Sequence, residues 1–510
     1  MSLTADHTPS TDADGGGGER HVRYAIIGTG FGGVGAAYRI QHDLGDRDFL
    51  IFERHPEAGG CWWANHYPGA QCDIPSDLYS LSFAPNPDWT RTYAPQGEIR
   101  DYLVSLTHKL GIRDRIRFNT TVTSASWDED ASLWQVETTA GTFTANYLIA
   151  APGPLAEPTL PEIDGLGSFK GTVMHTAEWD DDIDLTGKRV AVVGTGASAI
   201  QAVPRIAEVA LELTVFQRTP AWIMPHVDRD VKPIERAIYK RFPIVQRLRR
   251  AWAFSWRESM IPGFVWMPGL QRGLEALANK HRSDQVADPE LRTHLTPSYR
   301  IGCKRVLPTN KWYPALQQDN VTLVPHAATG LTETGVTGAD GIEREVDVII
   351  FATGFHVADI PVGDHVTGIG GKTLTEVWDG SPQAHKGTTV TGFPNLFFLV
   401  GPNTGLGTNS IVYMIESQLN YLIGAIEATG RGRLTCNVRR EAMDAWSDRM
   451  QQKIKGSVWV NGGCASWYVD ANGKVTTLWP DFTFRFRQET KRFDAESYVM
   501  KPVPARVAAS

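Results

Sequence analysis

Two short glycine-bearing runs hold the residues with the plainest chemistry. In the first, Gly28-Thr-Gly30-Phe-Gly-Gly33 follows the apolar run Tyr24 to Ile27. A first glycine permits a tight turn, a second lets backbone approach a pyrophosphate, and a third lets the following helix pack close to the strand. The helix start then offers free N–H groups and a positive dipole end to phosphate. The next apolar run, Phe49 to Phe52, ends in Glu53, 25 residues after Gly28. A carboxylate at that place accepts from both ribose hydroxyls and repels a 2′-phosphate, so the site is expected to hold the adenosine of FAD or NAD. In the second run, Gly194-Thr-Gly196-Ala-Ser198-Ala199 follows Arg189 to Val193. Its next apolar run, Leu213 to Phe216, ends in Gln217-Arg218-Thr219, with Arg218 24 residues after Gly194. A guanidinium binds phosphate through a planar fork, and with a hydroxyl beside it the strand end suits a 2′-phosphate; this site is expected to hold NADPH. Two nucleotide sites of opposite 2′ chemistry imply hydride transfer from NADPH to a tightly held flavin.

Such runs need strands to carry the turns and helices to cover the strands. Short apolar runs alternate with helix-like stretches along the chain, which implies an α/β fold with parallel sheets. Two Rossmann-like dinucleotide-binding domains are expected, with a helical insertion in the second. Strands are expected at Tyr24 to Ile27, Phe49 to Phe52, Tyr147 to Ala150, Arg189 to Val193, Leu213 to Phe216, Val346 to Phe351 and Leu396 to Val400. The insertion, residues 225–297, sets Trp252, Trp256 and Trp266 among Arg247, Arg249, Arg250 and Arg257. Pro243, Pro262 and Pro268 break it into short helices. Its aromatic faces are expected to pack over a cleft rather than skim a membrane, because the basic residues are interleaved with prolines and not set along one long amphipathic face. After Leu396 to Val400, Gly401, Gly405 and Gly407 lead into a helix-like stretch from Thr408. The dipole of that helix start would stabilise negative charge on a reduced flavin ring.

Composition bounds the rest. A chain of 510 residues suggests two to three domains, and 42% hydrophobic residues supply a large core. The net charge of -7 gives no whole-chain argument for nucleic acid or an anionic membrane as partner. Five scattered cysteines contain no Cys-x-x-Cys pair, so neither a disulfide framework nor a zinc or other metal site is expected, and the usage fits a reducing cytoplasm. Residues 1–20 are polar, include Gly15 to Gly18 and lack an apolar signal-peptide core; a disordered tail is expected there. No apolar run reaches the length of an integral membrane segment.

Between the two nucleotide runs lies Phe169-Lys-Gly171-Thr-Val-Met-His175-Thr-Ala-Glu-Trp179-Asp180. This resembles the Phe-x-Gly-x-x-x-His-x-x-x-Trp-(Pro/Asp) fingerprint of type I Baeyer–Villiger monooxygenases, within the class B flavoprotein monooxygenases. Gly59-Gly60-Cys61-Trp62, running on through Tyr67-Pro68-Gly69 to Cys72-Asp73, resembles the family's flavin-covering segment; Gln71 stands where an arginine is common. Gly302-Cys303-Lys304-Arg305 resembles its Lys-Arg pair. Asp347 to Gly354 resembles the strand that returns the chain to the FAD domain, and Gly463 to Tyr468 a loop closing on NADP. The resemblance implies a discontinuous FAD-binding domain of residues 21–150 and 346–505 around an NADP-binding domain of residues 165–345.

The implied reaction inserts one oxygen of O2 beside a ketone carbonyl through a C4a-peroxyflavin, giving an ester or lactone. By resemblance Arg305 is the fixed cation beside the reacting oxygen, and arginine suits this because it does not deprotonate. Asp73 pairs with it, Lys304 joins Arg218 on the 2′-phosphate, Trp62 covers the flavin, the Trp467 loop closes the site, and His175 serves as hinge. An enzyme oxidising nitrogen or sulfur on the same scaffold, and a non-catalytic FAD- and NADP-binding module, are the competing readings.

Overall fold

A computed structural model describes residues 20–358 and 361–504. The tail expected over 1–20 lies outside the described residues except for Arg20, which opens the first strand. Apolar, β-branched and aromatic runs form that first sheet. β1 (Arg20–Ile27) is followed by helix α1 (Phe31–Asp43), and then come β2 (Phe49–Phe52), β3 (Ile116–Arg117), β4 (Val122–Asp128), β5 (Leu133–Thr138) and β6 (Gly141–Ala150). β1 pairs in parallel with β2 on one side and β6 on the other. All four residues of β2 are buried, as in a parallel sheet covered on both faces. β4, β5 and β6 form an antiparallel meander, and Leu396–Phe398 joins β6 in parallel.

The second sheet is all parallel. β7 (Thr172–His175), β8 (Arg189–Val193) and β9 (Glu212–Phe216) join Val321–Val324 and Val348–Phe351, in the order Val321–Val324, β9, β8, Val348–Phe351, β7. This corrects one expectation. The resemblance places Asp347 to Gly354 on the return to the FAD domain, which is expected to resume at 346. The strand Val348–Phe351 instead lies between β8 and β7, so the return comes after Phe351. Leu396 to Val400 also ends early, at Phe398, and the chain turns where Val400 adopts φ +64.

The insertion consists of the helices Pro233–Arg241, Pro243–Glu258, Ile261–Val265, Gln271–Gln285 and Pro289–His294. Four of them carry a proline in their first turn, where its missing N–H costs nothing. The expectation that its aromatic faces cover a cleft does not hold for Trp252, Trp256 and Trp266, which are exposed. Among the described residues no helix is long and apolar enough to cross a membrane.

Candidate active site

The first glycine turn is closed by contacts that forbid a side chain. Gly28 has φ +91, its N–H donates to the Phe52 carbonyl at 2.9 Å, and a Cβ on it would stand 2.7 Å from the Ala151 carbonyl oxygen. A Cβ on Gly33 would stand 1.8 Å from the Gly28 oxygen, so α1 packs against β1 only with glycine there. Gly30 is the N-cap of α1 and supplies no side-chain cap; no acidic residue occupies the first turn. Its N–H groups are therefore left for an external anion. Glu53 is buried just beyond β2 and reaches back across the turn: Oε2 accepts from the Thr29 N–H at 2.9 Å and the Thr29 hydroxyl at 2.5 Å. These residues fit the adenosine and pyrophosphate of FAD.

The second turn repeats the construction. Gly194 has φ +119, its N–H donates to the Phe216 carbonyl at 3.1 Å, and a Cβ would stand 2.5 Å from the Ala352 oxygen. The Ala197–Ile206 helix starts from Gly196 without a side-chain cap, with Ser198 half-buried in its first turn and Ala199 buried in the third-glycine position. Thr219 holds the turn through its carbonyl, which accepts from the Thr195 hydroxyl at 3.0 Å. Arg218 is exposed at the end of β9. Lys304 lies near enough for the two cations to interact: burial lowers the Lys304 ammonium, and Arg218 lowers it further. Among the described residues neither forms an ion pair with a carboxylate. Two uncompensated cations beside a phosphate-binding turn fit a 2′-phosphate, hence NADPH.

Asp73 and Arg305 meet where the two halves join. The guanidinium donates through Nε and Nη2 to the two carboxylate oxygens at 2.6 and 2.7 Å. Burial would push the Asp73 carboxyl up, but Arg305 overcomes this and holds it below the usual carboxylate value. The same attraction raises Arg305 further above an already high value. Both groups are thus permanently charged across the physiological range. The segment leading to Asp73 leans on the second nucleotide helix. The Tyr67 hydroxyl donates to Gln201 Oε1 at 2.9 Å, and Gln201 Nε2 donates to the Gln71 carbonyl at 2.9 Å. Trp62 is half-buried on the first nucleotide unit, with its indole N–H donating to the Tyr79 hydroxyl at 3.1 Å. Trp467 is exposed on its loop, its ring 4.2 Å from that of buried Tyr468.

The fingerprint residues act on the backbone that links the halves. A Cβ on Gly171 would stand 2.5 Å from the Asp347 oxygen, so glycine brings β7 beside the Val348–Phe351 strand. Phe169 packs against the second sheet's core, and Trp179 is buried in the core on the other face. Asp180 accepts from the Asp182 N–H at 2.9 Å and shapes the turn beyond. His175 is 2% exposed at the end of β7; its Nδ1 accepts from the Ala177 N–H at 3.0 Å. Burial pulls its pKa down to about 4, so the imidazole is neutral at physiological pH.

Sequence reasoning missed three contributors. Arg257 reaches from the insertion and donates to the Asp73 carbonyl at 2.9 Å and the Thr408 carbonyl at 3.5 Å. It ties the Asp73 segment to the approach to the Ile411–Ala428 helix. Asp228 gathers Gln71 Nε2 at 2.8 Å, Arg91 Nε at 2.7 Å and the Thr92 hydroxyl at 3.0 Å, so Gln71 braces the insertion. The third is a correction: Cys303 and Cys464 form a disulfide, 161 residues apart, joining the Lys304–Arg305 segment to the Trp467 loop. Gly462 permits the approach, since a Cβ there would stand 2.6 Å from that of Cys303. Its one sequence signal is that each cysteine abuts a family motif. A surface depression of about 350 Å³ between Phe169–Gly171 and Glu345–Asp347 lies at the starting ends of β8 and its neighbour, opposite the nucleotide turns.

Two dinucleotide turns on either side of a linker whose His175 and Trp179 are buried, with an arginine–aspartate pair where their units meet, are the arrangement of a flavoprotein monooxygenase of class B. The comparisons narrow this. Residues 25–248 match the family described as pyridine nucleotide-disulphide oxidoreductase. The chain is 46% identical over 492 residues to a Baeyer-Villiger monooxygenase of Streptomyces coelicolor, covering 96% of this chain and 95% of that one. Its fold matches a closed crystal structure of cyclohexanone monooxygenase with a TM-score of 0.84 at 27% identity, over 95% of this chain and all of that one. An oxidized steroid monooxygenase bound to NADP matches with a TM-score of 0.81 at 30% identity, over 92% and 97% of the two chains. The chain belongs to the Baeyer–Villiger monooxygenases. It is an NADPH-dependent flavoprotein monooxygenase that uses FAD.

Proposed function

We propose that this enzyme takes a ketone and O2 and returns an ester or lactone, with Arg305 as the residue that makes oxygen insertion possible. The chemistry FAD would supply here, when bound and reduced by NADPH, is activation of O2. Glu53 and the uncapped start of α1 would hold FAD, and Arg218, Thr219, Lys304 and the start of the Ala197–Ile206 helix would hold NADPH. The observation that carries the reading is the two-point ion pair between Arg305 and Asp73. It leaves Arg305 positively charged at every working pH and fixes its plane. A fixed cation at a water-poor site stabilises developing negative charge on oxygen without lending it a proton. Asp73 orients that cation, and Arg257 fixes the Asp73 backbone in turn. The Trp467 loop, tied by the disulfide to the Arg305 segment, would keep water out.

Arg305→Ala tests the assignment. NADPH should still bleach the flavin in the variant, while ester disappears from product analysis on linear, cyclic and aryl ketones. Unchanged ester yield would remove Arg305 from the chemistry. A thioether oxidised far faster than every ketone by the unaltered enzyme would move the substrate class to sulfur.

A further inference from the structure

The Pro243–Glu258 helix is built inside out. Its inward face is largely polar, with Ala253 and Phe254 as its apolar contacts to the core. Gln246 Nε2 donates to Asp77 Oδ1 at 2.9 Å, Arg249 pairs with the same carboxylate at 2.9 Å, and Arg250 donates to the Ser80 carbonyl at 2.7 Å. Farther along, Arg257 reaches the Asp73 carbonyl, and Glu258 accepts from the Thr483 hydroxyl at 2.7 Å. Its outward face is apolar. Ile244, Leu248, Trp252 and Trp256 recur every fourth residue and are 57%, 64%, 69% and 55% exposed. The two tryptophan rings lie parallel, 6.4 Å apart. Phe242 extends the stripe, and Ile234 and Ile238 of the preceding helix are also exposed. A stripe of this kind on a water-facing helix is an interaction surface.

Charge selects the partner. Residues 232–257 contain eight lysines and arginines and a single acid, Glu235, in a chain of net charge -7. Arg249, Arg250 and Arg257 are spent inward, but Arg241 and Arg247 are exposed beside the stripe. Neither of these two has an acidic partner among the described residues. Protruding tryptophan, leucine and isoleucine flanked by arginine match an anionic lipid interface, where indole rings settle at headgroup depth and cations meet lipid phosphate. A second copy docking through the same face would set these cations against their own kind. We propose that this face seats the enzyme peripherally on an anionic lipid bilayer, with the stripe entering the headgroup region. The same helix carries Arg257 to Asp73, so the seated face and the reaction site share one element.

Flotation of the FAD-loaded full chain with vesicles tests this without measuring activity. The chain should float with vesicles of phosphatidylcholine and phosphatidylglycerol and stay behind with phosphatidylcholine alone. High salt should release it. The Trp252→Ser, Trp256→Ser double variant should lose vesicle binding while keeping its circular dichroism and bound flavin. Arg241→Ser and Arg247→Ser should each weaken partitioning about fivefold. Equal flotation of wild type and variants, or none by wild type, overturns the proposal. Wild type that ignores vesicles but dimerises in light scattering, with the tryptophan variant monomeric, assigns the face to a second copy instead.

Discussion

Arg218 and Lys304 are two like charges drawn together by the fold without a counterion of their own. A 2′-phosphate lying between them, as proposed, would offset their mutual repulsion. Losing one charge-assisted contact costs about 1.5–3 kcal/mol, a factor of roughly 10 to 100 in affinity. Arg218→Ala is therefore expected to weaken NADPH by that factor and to leave NADH nearly unchanged, read from the KM of each in flavin reduction. An equal loss for both would place the arginine outside the phosphate site. His175 makes a different prediction at the same scale. Its folded pKa of about 4 lies below the ordinary 6.5. Above pH 6.5 neither the folded nor the unfolded chain holds the proton. As pH falls from about 6.5 to about 4, the unfolded chain takes up a proton that the native chain refuses, so native stability falls through that window. His175→Gln, which keeps an acceptor for the Ala177 N–H but does not titrate, should show a shallower drop in melting temperature between pH 6.5 and 4.5. Identical slopes would mean that the imidazole protonates freely in the native state.

At the scale of elements, the two nucleotide turns look alike in sequence and differ in tolerance. In the first, Cβ at residue 33 would stand 1.8 Å from the Gly28 oxygen. In the second, the equivalent Ala199 already carries a buried Cβ. Gly33→Ala must push α1 off β1, an overpacking cost of about 1–3 kcal/mol, and should shed FAD on purification. Ala199→Gly should cost the helix propensity difference, about 1 kcal/mol, and about as much again for the lost buried methyl, but retain NADPH binding. Equal losses of melting temperature and cofactor would deny the asymmetry. These turns were legible in the sequence because strand, glycines and the strand-end acid or arginine lie within one contiguous stretch. The Cys303–Cys464 disulfide was not legible, because nothing local joins positions 161 residues apart. Arg257 was equally hidden. It reads as one more cation in a basic helix, and only the fold shows it on the Asp73 carbonyl. The apolar run ending at Phe351 is legible as a strand, but the residues from 346 were expected in the FAD domain while the strand pairs within the second sheet. A buried apolar run reveals that it will pair, not with which neighbour.

For the whole molecule the decisive contact is the one that sets the two nucleotide units in register. Gly69 adopts φ +85 and lies so close to the Ala197–Ile206 helix that a Cβ would stand 2.5 Å from the Gln201 carbonyl oxygen. On either side of it, Tyr67 and Gln71 exchange hydrogen bonds with the Gln201 side chain. Four residues beyond Gly69 stands Asp73, the partner of Arg305. A methyl group at residue 69 therefore has no room, and the φ it needs is unfavourable for alanine. Neither nucleotide turn includes this residue, so Gly69→Ala should leave both cofactors bound. What it moves is one unit against the other. A misplacement of about 1 Å between reacting partners costs on the order of 100-fold in rate. Stopped-flow reduction of the Gly69→Ala flavin at saturating NADPH should accordingly slow by about 10- to 100-fold, with cofactor affinities close to those of the parent. If saturating NADPH instead restored the parental rate, the contact would govern binding alone. The relative placement of the two units would then be set by the fingerprint linker, through the close backbone approach at Gly171 and the buried His175.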